Sequence, residues 1–310
     1  MSVYASPDQL LGDPKQVKAI LVDALRAGYL SVFLGAGLSM STTPECDDDV
    51  KVDPVFPSWG ELVKLVCSDS GVPFDSTIKT NDYLLQASEE AETAVEGAGQ
   101  SFASVVEKAL YTRCKSYSTE FLKIDLLIAL GSLVMTSTRG KASAVVNYNY
   151  DDLLEWYLML HGFTVSVVSS LPDLIPRADV VVYHPHGFLP LSTRLAAKKT
   201  GTVVLSKRSY QRVLKELDPW NEFQRFCLGC NISLFIGMSG DDPHVEWLYS
   251  SVHDDVSGGR ILGVIVLMDT PLNRGRAASA KNRGIIHYYI KSHNDLPKFI
   301  LELCQAAAEA

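Results

Sequence analysis

The chain has 310 residues, 47% of them hydrophobic and 21% charged, with a formal net charge of -8. That fits a globular protein with ample apolar surface for a core, built as one large domain or one domain with an inserted part. The acidic balance argues against broad non-specific nucleic-acid binding, which needs a surplus of Lys and Arg for phosphate contacts.

Met1 to Pro14 is polar, has no apolar h-region, and is not expected to be a signal peptide. Asp13 and Pro14 then read as an N-cap followed by Pro at the first helical position. Val17, Ile20, Leu21, Ala24 and Leu25 recur at helical spacing, and Gly28 closes that helix. The next run, Tyr29 to Leu34, is apolar and ends in Gly35-Ala36-Gly37-Leu38-Ser39. A strand that enters a glycine turn lets backbone N–H groups approach a phosphate without a Cβ in the way. The spacing is neither the G-x-G-x-x-G fingerprint nor a P-loop. For this motif alone, a tight turn with no ligand is an equally good reading.

From Met40 to Phe56 the chain is irregular and carries the acidic run Asp47-Asp48-Asp49, expected to be a solvated loop. Pro57-Ser58-Trp59-Gly60-Glu61 opens a helix: Ser58 and Glu61 have capping-box spacing, and Trp59, Leu62, Val63 and Val66 form an apolar face. Residues from about Asn81 to Leu133 read as mostly helical, with a break at Gly97-Ala98-Gly99 and a last helical stretch from Ser118 to Leu130. We therefore expect a helical insertion at about 60–138 between the first two strands. The longest apolar run, Leu126 to Met135, is too short to span a bilayer and reads as a buried helix.

After Lys141 the character changes. Ser143–Tyr148, Phe163–Val168, Asp179–Tyr183, Thr202–Leu205, Ile232–Ile236 and Ile261–Met268 are short apolar runs rich in Val and Ile, with helical or loop segments between them. The pattern predicts an α/β fold with a parallel sheet covered by helices on both faces. The residues from Gly258 to Ala310 finish that sheet and add a terminal helix with Leu296, Phe299, Ile300 and Leu303 on its apolar face. In such sheets ligands sit beyond the carboxyl ends of the strands, near the switch point. Four runs end in polar or glycine-rich residues: Asn147 to Glu155, Tyr183 to Gly187, Ser206 to Tyr210, and Gly237 to Pro243. Each has a plain alternative, since Asp151 or Asp152 can cap the next helix and Asp242-Pro243 is a common cap pair. Their convergence on one sheet edge favours a nucleotide site.

The six cysteines (Cys46, Cys67, Cys114, Cys227, Cys230 and Cys304) are scattered, which suits a reducing cytosol, and we expect a cytoplasmic protein. Cys227-Leu228-Gly229-Cys230 is a single C-x-x-C with no second pair; two small core thiols and no metal are expected.

Taken in order, Gly35-Ala36-Gly37-Leu38-Ser39, Pro57-Ser58-Trp59, Asn149-Tyr150-Asp151, His186-Gly187 and Gly237-Met238-Ser239 resemble the motifs of the SIR2-like (sirtuin-like) superfamily, closest to its bacterial antiphage-defence branch. The resemblance runs from about Leu21 to Leu248. It implies a Rossmann-like sheet, a single SIR2-like domain over 1–310, and NAD+ as the ligand. In the defence branch it implies an NAD+ hydrolase that releases nicotinamide and ADP-ribose. By the resemblance, Asn149 and His186 are the catalytic pair. Gly35, Ala36, Gly37 and Ser39 cradle the pyrophosphate and ribose, Trp59 belongs to the cofactor site, and Asp151 supports the nicotinamide pocket. Gly237 and Ser239 line the adenosine side. Asn147 stands where the family usually has threonine; the Asn-Tyr-Asp triplet favours Asn149 over Asn147 as the ribose ligand. The paired C-x-x-C zinc ribbon of protein-deacylating sirtuins does not follow His186-Gly187, which argues against a deacylase.

On this reading Asn149 holds the ribose and the attacking water, and His186 accepts a proton near neutral pH. Two alternatives stand beside it: a non-catalytic NAD+ or ADP-ribose binding module, and protein ADP-ribosyl transfer or deacylation. A free NAD+ hydrolase would kill its own cell, so activation by oligomerisation or by a co-encoded partner is expected. An ATPase, an Argonaute-like protein and a nucleotide-processing enzyme are the partners the resemblance suggests, with no membrane or direct nucleic-acid contact.

Overall fold

The structure is a computed structural model that describes residues 13–42, 54–135, 142–214, 218–239, 242–255 and 261–309. The acidic run at 47–49, Cys46 and the stretch before Asp13 lie outside the described residues.

Seven strands form one sheet: β1 (Leu30–Leu34), β2 (Ala142–Asn147), β3 (Val165–Val168), β4 (Val180–Tyr183), β5 (Ile232–Ile236), β6 (Gly263–Met268) and β7 (Ile285–Ile290). Their order is β3-β4-β2-β1-β5-β6-β7, and every neighbouring pair is parallel. All carboxyl ends therefore lie on one edge. The central strands β1 and β5 are buried at every residue, which is why they read as unbroken apolar runs. The fold is Rossmann-like α/β, as the alternation of runs and helices predicts.

The strand period of two sorts side chains onto two faces. Val32, Leu34, Val145, Leu234 and Ile236 pack with α1 (Pro14–Ala27) and with helices from the segment between β1 and β2. Phe33, Val146, Phe235 and Ile265 pack on the other face. There they meet α9 (Pro219–Cys230) and α10 (Pro243–Asp255) through Leu228, Leu248 and Tyr249. Burying each large apolar side chain contributes about 1.5–3 kcal/mol before the entropy of ordering it is counted.

Between β1 and β2 the chain forms α2 (Gly37–Met40), α3 (Trp59–Asp69), α4 (Asn81–Gly97), α5 (Phe102–Leu110) and α6 (Asp125–Met135). The expected break falls at Gly97–Gly99, where Gly99 has φ 72°. The helical stretch expected from Ser118 to Leu130 divides into a 3₁₀ turn, Thr119–Lys123, and α6, because Ile124 is extended. The capping box at α3 is half made. Ser58 accepts from the Glu61 N–H at 3.3 Å, but the Glu61 carboxylate turns away to Arg113, 2.5 Å distant. Two phenols tie this helical segment to the sheet: Tyr111 donates to the Leu189 carbonyl at 2.6 Å, and Tyr117 donates to Asp152 at 2.5 Å. Asp152 also accepts from the Leu191 and Ser192 N–H groups at 2.8 and 3.0 Å.

Thr202–Leu205 is not a strand, contrary to expectation. Val203, Val204 and Leu205 are buried, which gives the apolar signal, yet their backbone makes no ladder. Instead the Val204 N–H donates to the His186 carbonyl at 2.8 Å, and the Val204 carbonyl accepts from the Tyr150 hydroxyl at 2.7 Å. The segment packs over the strand ends. After it come α8 (Lys207–Val213), capped by Ser206, and the elements already named. β7 pairs with β6 over six residues; its His287-Tyr288-Tyr289 centre interrupts the apolar run and hides it from a reading by hydrophobicity. α11 (Pro271–Asn282) and α12 (Asp295–Ala308) complete the fold, with Leu296, Phe299, Ile300 and Leu303 of α12 buried as expected.

Candidate nucleotide site at the sheet edge

β1 is flanked by β2 on one side and β5 on the other, so the chain reverses its direction of progress between β1 and β5. That is the switch point at which open α/β sheets bind ligands. The two loops that leave these strands interlock. Gly35 N–H donates to the Ile236 carbonyl at 3.0 Å, and Gly37 N–H donates to the Gly237 carbonyl at 2.8 Å. A Cβ on Gly37 would lie 2.7 Å from the Gly237 Cα, and Gly237 itself has φ 68°. Glycine is thus required here by the approach of two backbones. This is a different reason from the open phosphate cradle that the sequence suggests, and it occupies the Gly35 and Gly37 N–H groups within the protein.

The segment after β2 locks onto this turn. Asn149 Nδ2 donates to the Gly35 carbonyl at 3.0 Å, and its N–H donates to Asn147 Oδ1 at 3.1 Å. Ser39 Oγ donates to Asp151 Oδ2 at 2.6 Å, while Asp151 Oδ1 accepts from the Leu153 N–H at 3.1 Å. Asp151 therefore holds the start of α7 (Leu153–Leu160), as weighed for it, and also reaches the glycine turn. Burial pushes its carboxyl up to about 6, against the lowering effect of the Ser39 hydroxyl. Asn147 Nδ2 is buried and has no partner, so this strand end holds an uncommitted donor.

β4 ends in two buried histidines with different surroundings. His184 Nδ1 lies 2.9 Å from the Asn149 carbonyl and Nε2 lies 2.7 Å from Glu155 Oε1, with both side chains fully buried. A carbonyl can only accept, so Nδ1 is the donor in that contact. His184 is a brace: it fixes the backbone of Asn149 from behind. His186, two residues on, sits against Tyr148 at 4.6 Å between ring centroids, Tyr210 at 5.5 Å and His244 at 5.4 Å. Its Nε2 is 3.1 Å from His244 Nδ1. Enclosure by these rings pushes His186 down to about 3, so it is uncharged at neutral pH. The following Gly187 has φ 107°, and a Cβ there would meet the Thr202 carbonyl at 2.8 Å. The His-Gly pair is thus held by the segment that crosses the strand ends.

The structure brings Gly35, Ala36, Gly37, Ser39, Asn149, Asp151, His186 and Gly237 to one edge. Asn149, Asp151 and His186 are only 7%, 2% and 3% exposed. Ser239 lies on the same loop as Gly237 and is exposed. Trp59 starts α3 and packs beside Leu85, Val204 and Tyr210, next to the segment over His186 rather than among the bonded groups. Ser206 and Tyr210 do not follow a strand, yet Tyr210 still arrives beside His186 and donates to Asp242 at 2.9 Å. A cleft of about 370 Å³ lies elsewhere, between α4 and α8, lined by Glu92, Glu96, Arg208 and Arg212; it touches none of these groups.

Sequence reading missed His244, Asn221 and Glu155 as partners. His244 follows the Asp242-Pro243 cap, where the Asp242 side chain accepts from the His244 and Val245 N–H groups at 2.9 and 3.2 Å. The only signal was a histidine in the first turn of a helix that starts at a strand end. Cys227 is buried but Cys230, the last residue of α9, is exposed, so the C-x-x-C is not a pair of core thiols.

A parallel sheet with interlocked glycine loops at its switch point, faced by buried Asn, Asp and His side chains, is a Rossmann-like α/β architecture with polar groups gathered where such sheets bind ligands. Residues 143–288 match the family model of the SIR2-like domain. The match runs from β2 into β7 and takes in Asn149, Asp151, His186, Gly237 and Ser239, and it supports the SIR2-like family for this chain. Domains of this family bind NAD+, and their members are NAD+-dependent enzymes. No curated protein matches the chain.

Proposed function

We propose that the protein is an NAD+ hydrolase that cleaves NAD+ to nicotinamide and ADP-ribose. The observation that carries this reading is the pair of bonds from Asn149 to Gly35 and from Ser39 to Asp151. They join the Asn-Tyr-Asp segment to the glycine turn at the switch point, beside His186. The partnerless Nδ2 of Asn147 at the same strand end fits a site built to meet a polar ligand.

The bond from the nicotinamide nitrogen to ribose C1′ breaks, and its electron pair neutralises the pyridinium. A bond from water oxygen to C1′ forms, and the water proton passes to His186. Asn149 orients the ribose and the water, and the turn at Gly35 to Ser39 together with Gly237 and Ser239 holds the rest of the dinucleotide away from the reacting bond. Asp151 lies behind Ser39 and supports the nicotinamide end. His186 is uncharged and has a lone pair to take the proton, but burial, which pushes it down to about 3, makes it a weaker base than the near-neutral one the sequence suggests.

Asn149 Nδ2 gives one hydrogen to the Gly35 carbonyl, which leaves its second hydrogen and Oδ1 for the ribose and the water. On the resemblance of its motifs we read the protein as a cytoplasmic NAD+-depleting effector of bacterial antiphage defence, silent until a second copy or a partner protein acts on it. Its trigger is oligomerisation or a co-encoded ATPase, Argonaute-like protein or nucleotide-processing enzyme. The test is chromatographic separation of nicotinamide and ADP-ribose after incubation with NAD+. Tight NAD+ binding without release in every preparation would favour a binding module, and label transferred to protein would favour ADP-ribosyl transfer.

A further inference from the structure

Behind His186 lies a buried chain of side chains that determines which ring nitrogen carries hydrogen. Asn221 Nδ2 donates to the Val213 carbonyl at 2.5 Å, which fixes the amide orientation and turns Oδ1 towards His244. His244 Nε2 is 2.7 Å from that oxygen and must therefore be its donor. Burial and the neighbouring His186 push His244 down to about 3, so its ring carries a single hydrogen, the one on Nε2. Its Nδ1 is then an acceptor, and the 3.1 Å contact requires His186 to donate from Nε2. The uncharged His186 ring is left with its lone pair on Nδ1. The groups that face this chain are Tyr148, Tyr210 and Asp242; the two phenols are held protonated by burial.

We propose that His244, oriented by Asn221, is a positioning residue that holds His186 in the Nε2–H form and presents Nδ1 as the proton acceptor in NAD+ cleavage. The proposal rests on the hydrolase reading for its role, but the assignment of the hydrogen does not. When Nδ1 takes the proton from water, the His186 imidazolium donates from Nε2 into the His244 lone pair, which stabilises the charge. The chain orients and does not relay. Its end, Asn221, is an amide that cannot take up a proton, so the proton leaves from Nδ1 by the way it came.

The test is ring-nitrogen NMR on the full-length chain, wild type beside Asn221→Asp and His244→Gln, with nicotinamide release measured on the same samples. Asn221→Asp is close to isosteric, and its carboxylate favours a second proton on His244, whose Nδ1–H then forces His186 into the Nδ1–H form. The expected results are an unprotonated His186 Nδ1 in wild type and a protonated one in Asn221→Asp. In that variant kcat falls about tenfold to a hundredfold while KM changes by less than about threefold. His244→Gln, which can still accept from His186 and donate to Asn221, retains the wild-type form and most of the rate. A wild-type His186 with hydrogen on Nδ1, or a form unchanged by Asn221→Asp, would overturn the proposal. Wild-type protein that releases no nicotinamide in any preparation would instead sink the hydrolase reading, and the spectrum would still decide where the hydrogen sits.

Discussion

The two sides of this sheet end in different chemistry although all seven strands point the same way. At β1, β2, β4 and β5 the strands run out into buried polar groups bonded to one another: Asn149 to Gly35, Ser39 to Asp151, His184 to Glu155, and His186 to His244. At β6 and β7 they run out into solvent. There Asp269 pairs with the exposed Arg274, with N–O distances of 2.5 and 2.8 Å, and Asp295 accepts from the Ser292 N–H at 2.9 Å. Arg274 lowers the Asp269 carboxyl, whereas burial raises that of Asp151. Water can solvate the groups at β6 and β7 whatever their neighbours do. The groups at β1, β2, β4 and β5 have desolvated charge and dipoles that only fixed partners or a ligand can satisfy, and such places are where function concentrates.

If that contrast is functional, the largest effects of substitution fall on the buried side. His186→Ala is expected to lower nicotinamide release by about 10²–10⁴-fold, and Asn149→Ala by about 10²–10³-fold, with each protein still folded by circular dichroism. Glu155→Ala should act on stability. It leaves His184 facing an empty, water-free space, a loss of about 3–5 kcal/mol that a urea titration would read, and a smaller loss would mean that the brace matters little.

A third expectation concerns pH. His186 and His244 lie at about 3 in the fold, against roughly 6.5 when unfolded. Their contribution is complete above about 6.5 and is lost as pH falls towards 3, because the unfolded chain then binds more protons. Asp151, raised to about 6, has the opposite sign: its contribution is full below about 3.9 and is lost as pH rises through 6. Urea midpoints should therefore decline from pH 6.5 downwards, with the carboxyl offsetting part of the loss between about 4 and 6. Asp151→Asn should steepen that decline and lift stability at pH 8; a flat profile in both proteins would contradict the burial of these groups. The smallest effect is expected at the far edge, where Arg274→Ala should leave both the melting temperature and nicotinamide release nearly unchanged.

Much of this was legible in the sequence. The Val- and Ile-rich runs marked β2 to β6, and the residues after them include Asn149, Asp151, His186 and Gly237 because strand, turn and motif are contiguous in the chain. What escaped were partners distant in sequence. His244 lies 58 residues from His186, Asn221 lies 23 from His244, and Glu155 lies 29 from His184. Only the parallel topology brings them together. The misread segment Thr202–Leu205 is as apolar as a strand because it is buried, and burial alone does not say whether the backbone has a ladder to join. Gly37 was marked for its lack of a Cβ, but the close approach of the Gly237 backbone, 200 residues further along the chain, was not legible.

The most direct test of the account is incubation with NAD+ of the wild-type chain, Asn149→Ala and His186→Ala. Each is prepared alone and together with the products of neighbouring genes, and products are separated by chromatography. The account predicts nicotinamide and ADP-ribose in equal amounts from wild type in at least one preparation, and from neither variant. NAD+ that is bound but left intact by wild type throughout, or turnover that survives in folded His186→Ala, would contradict it.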